Sequence, residues 1–460
     1  MHNVDKSSAR LDRERMMDES PSARATAKVE AVGLDFGTTN SAIAIVGGDG
    51  APRLARFPAA EDGNETETFR SILFFEAQEE TGGTDSTLAV GNDAIRRYLA
   101  AAGNGRLVQS LKSFLADKTF DSTDIMGETY SLGDLIAPIL SALRDAAIEQ
   151  FGELPPRIVV GRPVHFAAAG NPDEALARSR LDIAIRRAGW SDVVFEYEPV
   201  AAAYDYALRI TRDETVLIAD FGGGTSDFSV LQLKPRTAKK HGAARYEILG
   251  NDGVGIAGDA FDGRVMRHLV APALGRGTKY RSPYGMVLPA PTWPYTKLER
   301  WHHLSFLKAR ATMLRFDELK RESFEPEKIA ALIHIVENDL GYFLFRAVEK
   351  TKLELSALEA ADFMFSDPPV LIEKIVARPD FENWIGRYLE QIAGCVDRLL
   401  QTVALEPDAI DSVFLTGGSS FVPAVRRIFS ERFGADRIRM GDEFTSVARG
   451  LALRAVDAGD

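Results

Sequence analysis

Cysteine is nearly missing from this chain of 460 residues: Cys395 stands alone, so no intrachain disulfide can form and packing must hold the fold. Its neighbours Ile392, Val396 and Leu399 recur at helical spacing, which reads Cys395 as a small buried hydrophobe. Long apolar runs are missing too. No stretch approaches the roughly 20 residues of a membrane helix. Met1 to Lys28 is charged, rich in Ser and Ala and without an apolar centre, so it reads as a disordered tail, neither signal peptide nor anchor. Positive charge is in deficit, with 55 Lys and Arg against 67 Asp and Glu and a formal balance of −12. That argues against nucleic acid or an anionic membrane as the main partner. Histidine is sparse, seven in all, and the adjacent pair His302-His303 lacks Cys or acidic neighbours at metal-ligand spacing. What remains is the composition of a soluble, cytoplasmic enzyme, too long for one compact core and therefore expected in two lobes.

Against that background, two stretches repeat one design. Val32-Gly33-Leu34-Asp35-Phe36-Gly37-Thr38-Thr39-Asn40-Ser41 runs into the apolar Ala42-Ile43-Ala44-Ile45-Val46. Val216-Leu217-Ile218-Ala219-Asp220-Phe221-Gly222-Gly223-Gly224-Thr225-Ser226-Asp227 runs into Phe228-Ser229-Val230-Leu231. Each reads as strand, Asp at the strand end, glycine turn, Thr, second strand. Such a hairpin turn is expected to need φ > 0 and close backbone approach, which glycine allows. Its N–H groups form a concave anion site, and the Asp before it can hold a hydrated Mg²⁺. One such segment would be only a hairpin. Two in the same register, each opening one half of the chain, describe a clamp for a nucleotide triphosphate.

A third glycine turn lies near the end. Val413-Phe414-Leu415-Thr416 reads as a buried strand, and Gly417-Gly418-Ser419-Ser420 leads into Pro423-Ala424-Val425-Arg426-Arg427-Ile428-Phe429. Val422, Val425, Ile428 and Phe429 recur at helical spacing, which places the glycines at a strand-to-helix junction with Ser available as cap. The junction is either an ordinary βα turn or a place where backbone touches a ligand; as the third of a set it would face the adenosine.

On these motifs the chain resembles the actin-like ATPase superfamily, and within it the 70-kDa heat-shock chaperones of the DnaK type. Further segments carry the likeness in the same order: Leu88 to Ala94, Val160 to Phe166, Glu198-Pro199-Val200-Ala201-Ala202-Ala203-Tyr204, Ile256 to Asp262, and Glu349-Lys350-Thr351-Lys352-Leu353-Glu354-Leu355-Ser356. It extends from about residue 30 to the end and only to the nucleotide-binding half of those chaperones. It implies an α/β fold of two lobes, the duplicated ribonuclease H-like arrangement, with the nucleotide cleft between them. Lobe I would span 29–212 and lobe II 213–440, with an atypical stretch at about 271–335. The last segment, 441–460, would carry a helix from about Ser446 to Val456 that packs back on lobe I.

The resemblance also implies roles. Asp35 and Asp220 would hold the water shell of Mg²⁺, with Asp227 a third outer ligand or a water-positioning group. Glu198 would orient the attacking water. Lys112, in Ser110-Leu111-Lys112-Ser113-Phe114-Leu115, stands in the place of a phosphate-contacting lysine, or is a solvated helix lysine. Gly37, Thr38, Thr39, Asn40, Gly222, Gly223, Gly224 and Thr225 would take the phosphates of ATP or ADP. Gly258, Glu349, Lys352, Ser356, Gly417, Gly418, Ser419 and Phe421 would meet ribose and adenine; Glu349 and Lys352 could equally be a surface ion pair. The chaperones carry stacking arginines at the positions of Leu353 and Phe421. An aliphatic and an aromatic wall put base specificity in question.

No peptide-binding β-sandwich follows the third motif, which resembles the truncated YegD-type relatives and implies a chain that signals to an unknown protein partner or client. Three readings follow: a monomeric slow ATPase acting as a nucleotide-driven switch or chaperone; a small-molecule kinase; or a filament former or nucleotide module without turnover. The Pro- and Trp-rich stretch around Trp293 and Trp301 is either a partner surface or, as the weightier reading, the core of a longer subdomain.

Overall fold

The computed structural model describes residues 28–59, 64–77, 86–101, 104–167, 172–235, 246–300, 304, 307–441 and 445–457. The N-terminal tail expected over Met1 to Lys28, apart from Lys28 itself, and the Trp301-His302-His303 triplet lie outside these residues.

Two mixed sheets repeat one topology. In lobe I, β1 (Val29–Phe36) and β2 (Asn40–Gly47) form a hairpin that β3 (Pro52–Leu54) extends, while β4 (Arg157–Arg162) and β5 (Asp192–Tyr197) add in parallel, giving the order β3-β2-β1-β4-β5. In lobe II, β6 (Glu214–Phe221), β7 (Ser226–Leu233), β8 (Tyr246–Val254), β9 (Ser412–Thr416) and β10 (Ile438–Met440) form β8-β7-β6-β9-β10 with the same directions. The central strands β1 and β6 are apolar on both faces because each is covered on both sides, so they lack period-two alternation. A mixed α/β fold with two such sheets is the actin-like ATPase arrangement.

Helices follow from local signals. Helix α1 (Leu132–Phe151) starts on a capping box, in which Ser131 Oγ accepts from Asp134 N and the Asp134 carboxylate accepts from Ser131 N. Helix α2 (Glu174–Arg187) ends before Gly189, whose φ of 96° lets the chain turn away. Helix α3 (Glu198–Tyr206) opens on Glu198 with Pro199 in its first turn. Lobe II adds α4 (Gly258–Val265), α5 (Gly341–Ala357), α6 (Arg378–Thr402) and α7 (Pro423–Phe433).

Each lobe has its own core, and a third cluster joins them. It gathers Ala31, Ala44, Val200 to Ala203, Val216, Ile218 and Leu451 from β1, β2, α3, β6 and the closing helix α8 (Ser446–Asp457). Small side chains let α8 lie close: a Cβ on Gly450 would fall 1.7 Å from Ala201 O, and one on Gly33 2.1 Å from Ala452 N. Arg449 and Arg454 tie the same helix to Asp205 and Glu196. The lobes are therefore fused at their base, and the cleft opens above it. In the Pro- and Trp-rich stretch, Tyr295, Leu298 and Phe316 enter the lobe II core, while Trp293 stacks on Phe316 at 5.7 Å and stays partly exposed.

Candidate functional site

The β1–β2 turn brings Asp35, Gly37, Thr38, Thr39 and Asn40 to one wall of the cleft. Gly37 N donates to Ser41 Oγ at 3.3 Å, and Ser41 Oγ lies 2.8 Å from Ser71 Oγ, so buried hydroxyls back this turn. The β6–β7 turn places Asp220, Gly222, Gly223, Gly224 and Thr225 on the opposite wall. Gly222 N closes it by donating to Thr225 O at 2.9 Å, and Asp259 N donates to Gly223 O at 2.8 Å, so the start of α4 braces it.

The reason for glycine differs from the expected one. None of Gly37, Gly222, Gly223 and Gly224 has positive φ. Gly37 is required by crowding, because a Cβ there would sit 2.0 Å from Asn40 O. At Gly222 the nearest atom would be an ordinary 3.5 Å away; at Gly223 it would be 3.2 Å from Asp259 and from Thr39. The lobe II glycines thus leave backbone bare toward the cleft. The left-handed glycine is Gly417, at φ 82°, pressed against the end of β6 with Phe221 O 2.1 Å from where a Cβ would be.

The third turn also departs from its expected junction. Gly418–Phe421 is a single 3₁₀ turn, α7 begins only at Pro423, and no serine caps it. Ser420 Oγ is buried without a hydrogen-bond partner among the described residues. Gly417, Gly418 and Ser419 still line the cleft.

Charge is concentrated between the first two turns. Lys112 is held in a 3₁₀ turn after Ser110, whose left-handed φ of 56° sends Leu111 into the core and Lys112 into the cleft. Its Nζ donates to Glu198 Oε1 at 2.7 Å, both side chains being nearly buried. The reading of Lys112 as a solvated helix lysine therefore falls. Burial works against its charge, yet Glu198, Asp35 and Asp227 together hold its pKa above the ordinary value. Burial, then the Glu198 charge, pushes Asp35 up to about 7. Asp220 is pushed well above the ordinary range by burial and by Glu198, Asp35 and Asp227. Asp227, raised to about 7 by burial and Glu198, does not line the cleft: its Oδ1 accepts from Val164 N at 2.7 Å.

At the far end, Gly258, Glu349, Lys352, Leu353 and Ser419 meet. A Cβ on Gly258 would lie 3.1 Å from Ser419 Oγ and 3.5 Å from Lys352 Nζ, which places these three on one wall. Lys352 does not pair with Glu349. Its Nζ donates to Asp262 Oδ2 at 2.8 Å, while Glu349 accepts from Arg346 at 3.2 Å. Burial raises Asp262 to about 7, with Glu349 and Asp259 adding to it and Lys352 opposing. Two sequence-derived positions are not brought in. Ser356 Oγ donates to Lys352 O, the usual back-bond of a helix serine, and lies off the cleft lining. Phe421 is also off the lining, and its ring carries the Arg426 guanidinium 4.9 Å above it. Leu353 does line the cleft, 58 % exposed.

Asp259 and Asp262 were missed by sequence reasoning, although they stand three apart directly after Gly258, the spacing of one helix face. The arrangement suits a phosphorylated nucleoside: bare glycine backbone at Gly223 and Gly224, a lysine in the same cleft, and at the far end a buried carboxylate oxygen, Asp262 Oδ1, without a hydrogen-bond partner among the described residues. No group of three or more His, Cys, Asp or Glu among the described residues is placed to hold a metal ion directly.

A family model described as Hsp70 protein matches residues 31–276 and 329–459. The chaperone protein DnaK of one Thermus thermophilus strain is 28 % identical over 445 residues, covering 93 % of this chain and 60 % of that protein. DnaK of a second strain of the same organism matches with the same identity and coverage. The chain thus spans about 60 % of the length of these relatives.

Proposed function

The chain belongs to the Hsp70 family, and from that premise we propose that its cleft binds Mg²⁺–ATP and hydrolyses it slowly, with lobe closure as the output. One observation carries the reading: the nearly buried Lys112–Glu198 pair shares a cleft with the two turn aspartates and all three glycine turns. Bound Mg²⁺–ATP would supply the phosphoanhydride and the divalent charge that relieves repulsion among Asp35, Asp220 and Glu198. Lys112 neutralises phosphate oxygens, the N–H groups of Gly223 and Gly224 stabilise charge spread over them, and Glu198 orients water. Thr38 and Thr225 hydroxyls fix the phosphates from the two lobes. Because those turns sit on different sheets, a triphosphate bridges the lobes and a diphosphate bridges them less, which gives the closed state its differential affinity.

A chaperone-type switch acting on a protein client, and a place beside the YegD-type proteins, belong to the same proposal. Phosphate release without any added acceptor is the direct test, with Glu198→Gln as the trapped control. Turnover only in the presence of an acceptor would give the site to a kinase. Tight ATP binding with no release in either protein would leave a nucleotide module.

A further inference from the structure

Outside the cleft, two surface ribbons carry complementary faces. The first lies within 277–328, the stretch that the family match skips. Its strands set Lys279 opposite Pro289 and Arg281 opposite Val287, all exposed, while Tyr280 and Leu288 between them are half-buried. At its tip Tyr284 is 88 % exposed, beside exposed Met286. The Arg281 guanidinium lies 5.8 Å over the exposed ring of Phe324. Residues 277–298 contain no acidic side chain, and 277–328 holds ten basic against six acidic in a chain whose balance is −12. Neither Lys279 nor Arg281 has a carboxylate partner among the described residues. This is an apolar face with a cationic rim.

The second ribbon pairs Ala360–Asp367 with Val370–Ala377. Phe363, Phe365, Ile372 and Val376 turn into the lobe II core. On the outer face Asp362 stands opposite Ile375, Met364 opposite Glu373, and Ser366 opposite Leu371. Ile375 is 78 % exposed, with Met364 and Leu371 close behind. Met364 lies diagonal to both, so the three form one apolar stripe flanked by Asp362 and Glu373, neither of which has a cationic partner among the described residues. Lys374 opposes Phe363, out of that register. This is an apolar face with an anionic rim.

Within one chain the two ribbons belong to separate sheets and do not pair. Either ribbon meeting its own copy would oppose like charges, whereas one meeting the other covers both stripes and sets Lys279 and Arg281 against Asp362 and Glu373. We propose that the occupant of these faces is a second copy of this chain, the basic ribbon of one molecule docking on the acidic ribbon of the next. Because the two faces differ, the contact is heterologous and propagates head to tail rather than closing as a symmetric pair. It uses neither the cleft nor nucleotide.

The test is mass by sedimentation velocity and light scattering on the full chain over a roughly hundredfold concentration range, with three proteins. One is wild type, one carries Tyr284→Ser with Met286→Ser, and one carries Met364→Ser with Ile375→Ser. All substitutions are at exposed positions, and unchanged circular dichroism and nucleotide affinity serve as fold controls. Wild type should rise in mass to twofold and beyond, and each variant alone should stay monomeric. An equimolar mixture of the two variants should form a dimer and stop there, since one intact basic and one intact acidic ribbon remain. A wild type that stays monomeric throughout overturns the proposal and leaves the ribbons to a foreign protein. Wild-type association without recovery in the mixture overturns the head-to-tail geometry.

Discussion

In lobe I the strand-end carboxylate Asp35 stands across its ladder from Ala42; in lobe II its counterpart Asp220 stands across from Asp227. The lobe I turn is crowded around Gly37 and backed by the hydroxyls of Ser41 and Ser71. The lobe II turn has room at Gly222, is braced from outside by α4, and has a second buried carboxylate behind it that accepts from Val164 N across the lobe boundary. Two turns in one Asp-Phe-Gly register thus supply two different parts. The first turn is a rigid wall that works with Lys112 and Glu198. The second is an open backbone cradle backed by two buried carboxylates that face each other across the ladder, both with raised pKa. Duplication of a hairpin copies its turn, but what stands behind the turn is set by the rest of each lobe.

The sharpest way to break this comparison is to neutralise the two strand-end carboxylates. Asp35→Asn and Asp220→Asn should each lower Mg²⁺-dependent phosphate release about a hundredfold, the scale of losing one preorganised charge. Both should keep the fold, checked by circular dichroism. Loss in only one would mean that the clamp is one-sided, and no loss in either would remove the cleft assignment. Next come the glycines. Gly37→Ala should cost roughly 1–3 kcal/mol of stability in urea titration, as overpacking against Asn40 O requires, while Gly222→Ala should stay within about 0.5 kcal/mol. Equal costs would show that the two turns are equally tight.

Carboxylates with raised pKa predict a pH effect to which both lobes contribute, Asp35 from lobe I and Asp227 from lobe II. Asp227 has a folded pKa of about 7 against an ordinary value of 3.8. Below pH 4 both folded and unfolded states carry the proton; between pH 4 and 7 only the folded state does. Stability from this group is therefore present at low pH and lost as pH rises through about 7, with a slope of at most about 1.4 kcal/mol per unit. Asp227→Asn should flatten the fall measured between pH 5 and 7, and an unchanged slope would place the titration elsewhere. The smallest effect is expected at the adenosine end. Phe421→Ala should change ATP affinity by less than about 0.5 kcal/mol in calorimetry, because the ring lies under Arg426 and off the cleft lining. A loss near the roughly 1–3 kcal/mol of aromatic base stacking would return Phe421 to the base.

Much of the site was readable from residue order. Asp35, Asp220, Glu198 and the three glycine turns meet in one cleft because each is tied to a strand end or helix start, and local signals mark such places well. Partners across the chain were not readable. Lys352 pairs with Asp262, ninety positions away, instead of with Glu349 on its own helix, since helical spacing gives the shared face but not what packs against it. Ser356 shares that spacing and still misses the cleft, because its hydroxyl bonds back to the helix. The expected left-handed turn glycines also failed: Gly37 is required by crowding and not by positive φ, and Gly222 to Gly224 lack positive φ as well.

The sequence by itself determined the elements, the duplicated strand-turn-strand design and the strand-end aspartates, because hydrophobic run length and turn chemistry are local properties. Tertiary structure decided which carboxylates share a burial environment. It brought Glu198 beside Lys112 and set Asp227 behind Asp220. The shared core of α3 and α8, with contacts such as Val164 N to Asp227, sets how the two sheets face each other, and pKa depends on that distance and burial rather than on order along the chain.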